Sequence, residues 1–274
     1  MEPNEPHKSF LPLINRGTYT RIYAINSNIK AILNNTPKTE NINIIILGSG
    51  FDTLYFNLKN EGHNNITVYE LDYDKIISKK KKLIEQSNKL KPLIDEEHYK
   101  LISCDITSIS KLKKKLEENI PQDKKDDLSI IICECILVYI DREKTVEILS
   151  TLYNKLKNSI ILEFDLIRAN DGFGKEMVMN LSTRNIQLKG FEGVPDIKAQ
   201  IERLQEVGYK EVEFVDMKTV YNKFLSPEER NRINKLEMMD EFEEFDLLQT
   251  HACYGYGIQV EEKYKELKKV LKFK

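Results

Sequence analysis

The chain is poor in the residues that would mark several common functions. Its four cysteines, at 104, 133, 135 and 253 of 274 residues, contain no CxxC pair and are too few for a disulfide framework. They read as small buried residues in a reducing compartment. The histidines, at 7, 63, 98 and 251, are scattered. An extended strand would put the sulfurs of Cys133-Glu134-Cys135 on one face, but no histidine is close in sequence, so no metal is expected. Basic residues are not in excess: 42 against 44 acidic ones leave a net charge of −2, without the footprint of a nucleic-acid binder. No apolar run is long enough to span a bilayer. The start, MEPNEPHKSFLP, is polar and acidic, unlike a secretory signal or an Arg-rich transit peptide. The expectation is a cytoplasmic protein with neither membrane nor nucleic acid as partner.

What the chain does have is an alternation of strand-like and helix-like segments, the mark of a parallel α/β sheet. With 41% apolar and 31% charged residues it can bury a core and solvate its surface. Strands are predicted at Ile42 to Leu47, Ile66 to Leu71, Tyr99 to Cys104, Leu128 to Ile140, Ser159 to Ile167, Tyr209 to Met217 and His251 to Val260. Helices are predicted over about 53–60, 74–89, 109–118, from Asp141 to about Leu156, 171–184, 197–207, from Ser226-Pro227, and over the acidic stretch 236–248. The run Leu128 to Ile140 is long and apolar, as a central parallel strand should be. Seven strands and no linker predict a single domain over 1–274, with insertions at 168–194 and 218–248 and a short N-terminal arm, 1–13.

In an open parallel sheet ligands bind beyond the carboxyl ends of the strands, so those positions carry the functional reading. The first strand runs into Gly48-Ser49-Gly50 and then Asp52. Asp72 follows the second strand, about two dozen residues past the glycines, where an acid can accept hydrogen bonds from both hydroxyls of a ribose. Asp105 follows the third, and Glu134 lies in the apolar fourth. Asp72 and Asp105 could each simply cap a helix. A carboxylate inside an apolar strand is costly to bury without a partner, which favours a function for Glu134. A GxG with a downstream acid fits a nicotinamide dinucleotide or S-adenosylmethionine. Here Phe51, Asp52 and Thr53 follow Gly50, so the third small residue that a pyrophosphate requires is missing. The final strand after an interrupted insertion also favours a methyltransferase topology.

The segments INRGTYTRIYAI (14–25), ILGSGFDTLYFNL (46–58), YELDYDKIISKK, CECILVYIDREKTVEIL and FGKEMVMNLSTRNIQLKG occur in that order. From about Ile14 to Ile258 the chain resembles the leucine carboxyl methyltransferases, which methylate the C-terminal leucine of the protein phosphatase 2A catalytic subunit. The resemblance implies a class I S-adenosylmethionine-dependent methyltransferase fold: α/β, seven strands mostly parallel, with helical insertions on the substrate side. It implies S-adenosyl-L-methionine as cofactor, S-adenosyl-L-homocysteine as product, no metal, and the phosphatase tail as partner. It further implies that Arg16 reaches the methionine end of the cofactor and that Gly48 and Gly50 line its binding turn. Asp72 would hold the ribose, Asp105 and the Ile106 backbone the adenine; Glu134 would lie near the methionine part and Tyr139 near the transferring methyl. Arg16 and Tyr139 are thus the candidate catalytic residues, and a monomer is expected. The family usually carries a longer helical segment with a cofactor-binding lysine before INRG; here about a dozen residues precede it, and Lys8 is not matched to that lysine. Two alternatives stay open: the tRNA wybutosine-type carboxyl methyltransferase, which normally has a further C-terminal propeller, and a silent module that binds cofactor and phosphatase without transfer.

Overall fold

The computed structural model describes residues 11–121 and 124–271; Lys8 and most of the arm 1–13 lie outside them. The parallel strands are short and rich in β-branched residues and leucine, most fully in INIIIL and LSIIICE, which can fill a core on both faces of a sheet. Strands β1 (Ile42–Leu47), β2 (Ile66–Asp72), β3 (Tyr99–Ser103), β4 (Leu128–Glu134), β5 (Asn158–Leu166), β6 (Glu211–Asp216) and β7 (Ala252–Gln259) form one sheet in the order β3-β2-β1-β4-β5-β7-β6. β1 to β5 are parallel to one another, whereas β7 is antiparallel to both β5 and β6. The strand order reverses between β1 and β4, and the ligand-binding crevice of a doubly wound sheet opens at that point.

Side chains alternate across the sheet. Ile42, Ile44 and Ile46 of β1, with Leu128, Ile130 and Ile132 of β4, face one core. It is covered by α1 (Pro12–Asn34) and α2 (Leu54–Asn60), with contributions from α3 (Asp74–Gln86) and the C-terminal turn. Ile45, Leu47, Ile131 and Cys133 face the other core, under α4 (Ile109–Asn119), α5 (Arg142–Lys155) and α8 (Ile197–Val207). The same alternation directs Glu134, the last residue of β4, toward α1. Thus the register of a buried strand decides which helix its one carboxylate meets.

The sequence-based boundaries of β1 and α8 coincide with the observed ones, and those of the other regular elements shift by a few residues. Two differences bear on function. The run Leu128 to Ile140 is not one strand: β4 ends at Glu134, Cys135 adopts φ +51°, and a 3-10 turn, Leu137–Tyr139, follows. Hydrophobicity alone cannot register that turn, because its residues stay apolar while the backbone leaves the sheet. As a result Cys133 is buried in the second core while Cys135 stands beyond the strand, so the two sulfurs do not share a strand face. The second difference is α1, a 23-residue helix with Pro12 in its first turn, which the sequence reading left without an element.

Two segments leave the sheet. Residues 168–194 carry α6 (Gly172–Ser182) and α7 (Gly190–Gly193); between β6 and β7 come α9 (Met217–Thr219), a wider turn Val220–Phe224, α10 (Pro227–Asn234) and α11 (Phe242–Thr250). Their starts follow local chemistry. The Asp171, Asp216 and Ser226 side chains accept from Gly174, Thr219 and Glu229 N–H groups, capping α6, α9 and α10. A last short helix, α12 (Leu267–Val270), follows β7.

Candidate active site

A cavity of about 360 Å³ opens where β1 and β4 diverge. Gly48, Ser49, Asp52 and Glu134 line it, closed from above by Ile22, Ile25 and Asn26 of α1. The turn after β1 is shaped by two residues with left-handed backbone, Gly48 (φ +64°) and Gly50 (φ +52°), a conformation that costs little only without a Cβ. At Gly48 a Cβ would also sit 2.7 Å from Ile136 Cδ1. The turn is tied to β2: Gly48 and Ser49 N–H donate to the Leu71 carbonyl at 2.8 and 3.2 Å. Gly50 N–H donates to Asp72 Oδ2 at 2.8 Å and Tyr73 N–H to Asp72 Oδ1 at 2.7 Å. Each Asp72 oxygen thereby keeps further lone-pair capacity and is fixed in place. Asp72 is therefore both a pin for the glycine turn and an acceptor at its rim.

Asp105 lies one strand further out, two residues past Ser103, which pairs with Asp72. One of its oxygens, Oδ1, accepts from Thr107 N–H at 3.0 Å and Thr107 Oγ1 at 2.7 Å, a local turn; Ile106 beside it is buried. Asp52 caps the entry to α2 through Leu54 N–H, 2.5 Å.

Glu134 has the partner that its burial requires. Arg21 of α1 places Nε 2.8 Å from Glu134 Oε1, and its guanidinium lies over the Phe164 ring, 5.1 Å from the centroid. Burial raises the Glu134 carboxyl above its ordinary value, opposed by Arg21. The result is a cation and an anion side by side at the mouth of the cavity. Sequence reasoning missed Arg21, although it stands in the quoted INRG segment. The available signal was Glu134 itself, since a carboxylate in an apolar strand demands a cation from whatever packs on that face.

Arg16 is placed elsewhere. Its guanidinium donates to Asn234 Oδ1 (2.6 Å), the Tyr221 hydroxyl (3.3 Å) and the Glu237 carbonyl (3.1 Å). It lines a separate cleft of about 220 Å³ with Tyr19, Ile233 and Leu236. Tyr139, on the turn after β4, is 40% exposed, with its hydroxyl 4.0 Å from Cys135 Sγ. Partial burial and the neighbouring Cys135 push its hydroxyl up to about 12, and burial pushes the Cys135 thiol up to about 12. Both keep their protons at neutral pH. Asp165, at the end of β5, is pushed to about 8 by burial and the charge of Glu163. The structure thus brings Gly48 and Glu134 to one cavity, ties Gly50 and Asp72 to each other in the turn beside it, sets Asp105 and Ile106 past the neighbouring strand, and places Arg16 on a separate cleft.

The residues fit a zwitterionic nucleoside cofactor on their own chemistry. Ser49 Oγ is buried at the cavity without a hydrogen-bond partner, and an orphaned hydroxyl there is explained by a polar ligand. The pair Arg21–Glu134 offers complementary charges for a carboxylate and an ammonium. Among the described residues no group of three or more potential ligands could hold a metal ion, and no helix is long and apolar enough to cross a membrane.

Comparison with known proteins agrees with this geometry. Among solved structures, the plantazolicin methyltransferase BamL superposes with a TM-score of 0.57 at 14% identity, over 91% of this chain and 88% of that one. A phosphoethanolamine N-methyltransferase of Haemonchus contortus, in complex with S-adenosyl-L-methionine, gives 0.50 at 14% identity, over 86% and 53%. These establish the class I methyltransferase fold. Leucine carboxyl methyltransferase 1 homolog of Arabidopsis thaliana is 31% identical over 263 residues, covering 90% of this chain and 77% of that protein. Leucine carboxyl methyltransferase 1 of Bos taurus is 31% identical over 268 residues (88% and 76%). The human tRNA wybutosine-synthesizing protein 4 is 28% identical over 260 residues, 88% of this chain but 37% of that protein. The family model for leucine carboxyl methyltransferase matches residues 2–153. On these grounds the chain is an S-adenosylmethionine-dependent methyltransferase that belongs to the leucine carboxyl methyltransferase family.

Proposed function

We propose that the substrate is the C-terminal leucine of the protein phosphatase 2A catalytic subunit, methyl-esterified on its α-carboxylate in the cytoplasm. The observation that carries the assignment of the site is Glu134, paired with Arg21, lining one cavity together with Gly48 and Ser49 of the glycine turn. In this reading Glu134 takes the ammonium and Arg21 the carboxylate of the cofactor's methionine end. Ser49 and the Gly48 backbone line its middle, Asp72 accepts from the ribose, and Asp105 with Ile106 borders the adenine. When bound, S-adenosylmethionine would supply an electrophilic methyl for the substrate carboxylate, with the electron pair of the cleaved C–S bond left on sulfur.

No general base is required. A peptide α-carboxyl titrates near ~3.3–3.7, so the nucleophile is charged at neutral pH. What the chain must supply is alignment at roughly 3–3.5 Å and exclusion of water. Tyr139, which keeps its proton, donates a hydrogen bond that orients the substrate carboxylate. The segments 168–194 and 218–248 form the substrate side, and Arg16 holds the second of them against α1. Residue by residue, Asp72→Ala should weaken cofactor binding by about 1.5–3 kcal/mol, one charge-assisted hydrogen bond; calorimetry showing unchanged affinity would move the ribose contact elsewhere.

The direct test is methyl transfer from labelled S-adenosylmethionine to purified phosphatase 2A catalytic subunit, with a control lacking the terminal leucine. Label in the intact subunit alone is expected. Label in neither, from protein that binds the cofactor, would reject the substrate and direct the assay to carboxyl-bearing tRNA, given the similarity to the wybutosine protein.

A further inference from the structure

Tyr139 stands on a turn that two other parts of the chain hold from opposite sides. Below it, Cys135 N–H donates to the Phe164 carbonyl of β5 at 2.7 Å. The Asp165 carboxyl accepts from Leu166 N–H at 3.0 Å and from Val138 N–H within the turn, contacts that oppose the rise imposed by its burial. On the other side lies Gly190, the first residue of α7. A Cβ there would be 2.9 Å from the Leu137 carbonyl oxygen, 3.0 Å from that of Ile140 and 3.0 Å from Val138 Cα. All three are backbone atoms of the turn, which cannot move aside as a side-chain tip can. Around this contact Val138, Leu188 and Phe191 form a small buried cluster with partly buried residues of α6.

We propose that Gly190 is a positioning residue: it lets the backbone of the inserted segment rest on the backbone of the Leu137–Tyr139 turn, and so fixes where the Tyr139 hydroxyl stands. Segment 168–194 and Tyr139 then move as one unit, so whatever displaces the segment displaces the hydroxyl. This rests on the role assigned to Tyr139 above. A helix start tolerates alanine well, so the expected defect of Gly190→Ala comes from the close approach and not from helix propensity.

The test is a double-mutant cycle on methyl transfer to the phosphatase subunit, with Gly190→Ala, Tyr139→Phe and the pair. Misplacement of an orienting group predicts that Gly190→Ala lowers kcat by roughly ten- to a hundredfold while cofactor Kd stays within about twofold. In the Tyr139→Phe background the same substitution should cost little, since its effect runs through the hydroxyl. Additive losses would overturn the proposal; a Tyr139→Phe enzyme with normal kcat would instead remove the role of Tyr139 itself. A readout independent of turnover is alkylation of Cys135, the one cysteine of the four that is not fully buried. Mass spectrometry should show it severalfold faster in Gly190→Ala, and an unchanged rate would count against displacement of the turn. Should that variant fail to fold, Asp165→Asn enters the same cycle, with the same expected non-additivity and the same overturning result.

Discussion

Glu70 of β2 and Glu134 of β4 are alike in sequence, each a carboxylate in an apolar strand on the same face of the sheet, yet they meet opposite fates. Glu70 is 0% exposed and sealed between Lys80 of α3 and the Tyr99 hydroxyl, the latter at 2.9 Å. Glu134 meets Arg21 at the cavity mouth, with 21% of its side chain accessible. The sealed pair is closed off from solvent on both partners. In the open pair each group retains capacity toward a third party. Burial of a carboxylate therefore does not itself mark function; what separates Glu134 from Glu70 is its access to a cavity.

The largest effect that tests this contrast is Glu70→Ala, which strands the Lys80 ammonium in the core. It should cost about 3–5 kcal/mol of stability, read from the denaturant midpoint, with cofactor affinity of the folded fraction within about twofold. Lost affinity at unchanged stability would erase the distinction. Next comes Arg21→Ala, expected to weaken cofactor binding by about 1.5–3 kcal/mol while costing less stability than Glu70→Ala, because this pair keeps access to solvent. Arg16→Ala sharpens the comparison between the two arginines of the INRG segment. It should leave the cofactor Kd within about twofold but lower kcat/KM for the phosphatase by about tenfold, through a loosened second insertion. A cofactor defect as large as that of Arg21→Ala would restore Arg16 to the binding site.

The smallest effect is in pH. Because burial raises the Glu134 carboxyl, it is protonated at a higher pH than an exposed glutamate, and only its charged form attracts an ammonium. Cofactor affinity should therefore decline as pH falls toward the ordinary value of 4.5 and before reaching it, by at most about tenfold per unit. Glu134→Gln should remove the slope. A slope that survives in Glu134→Gln would assign it to another group.

The strands were legible because a parallel core strand needs apolar side chains on both faces, and the strand-end acids because that topology admits ligands at one end. The turn at Cys135 was not, since a chain can leave a sheet without becoming more polar. Nor was the Arg21–Glu134 pair: its partners lie far apart in sequence, and only the register of β4 and the rotation of α1 bring them together. The INRG motif points to its own arginine, whereas the arginine that pairs with Glu134 is the one five residues on. Asp72 shows a different limit. From sequence alone it can hold a ribose or cap a helix; in the fold its carboxylate holds the glycine turn by Gly50 N–H, a third role that spacing does not reveal.

The hairpin of β6 and β7 carries a consequence for how such a scaffold diversifies. Asp216 and Cys253 are ladder partners, so everything between them leaves and re-enters the sheet at nearly one point. Loop-closure entropy grows only logarithmically, about 0.6 kcal/mol for each doubling of length. The intervening helices can be lengthened, shortened or exchanged at small thermodynamic penalty while the β1–β4 crevice keeps its register. Because β6 runs parallel to β5, that exit point lies at the carboxyl end of the sheet, the end where the crevice opens: the central strands keep the binding turn fixed while the edge hairpin accepts interchangeable insertions beside it.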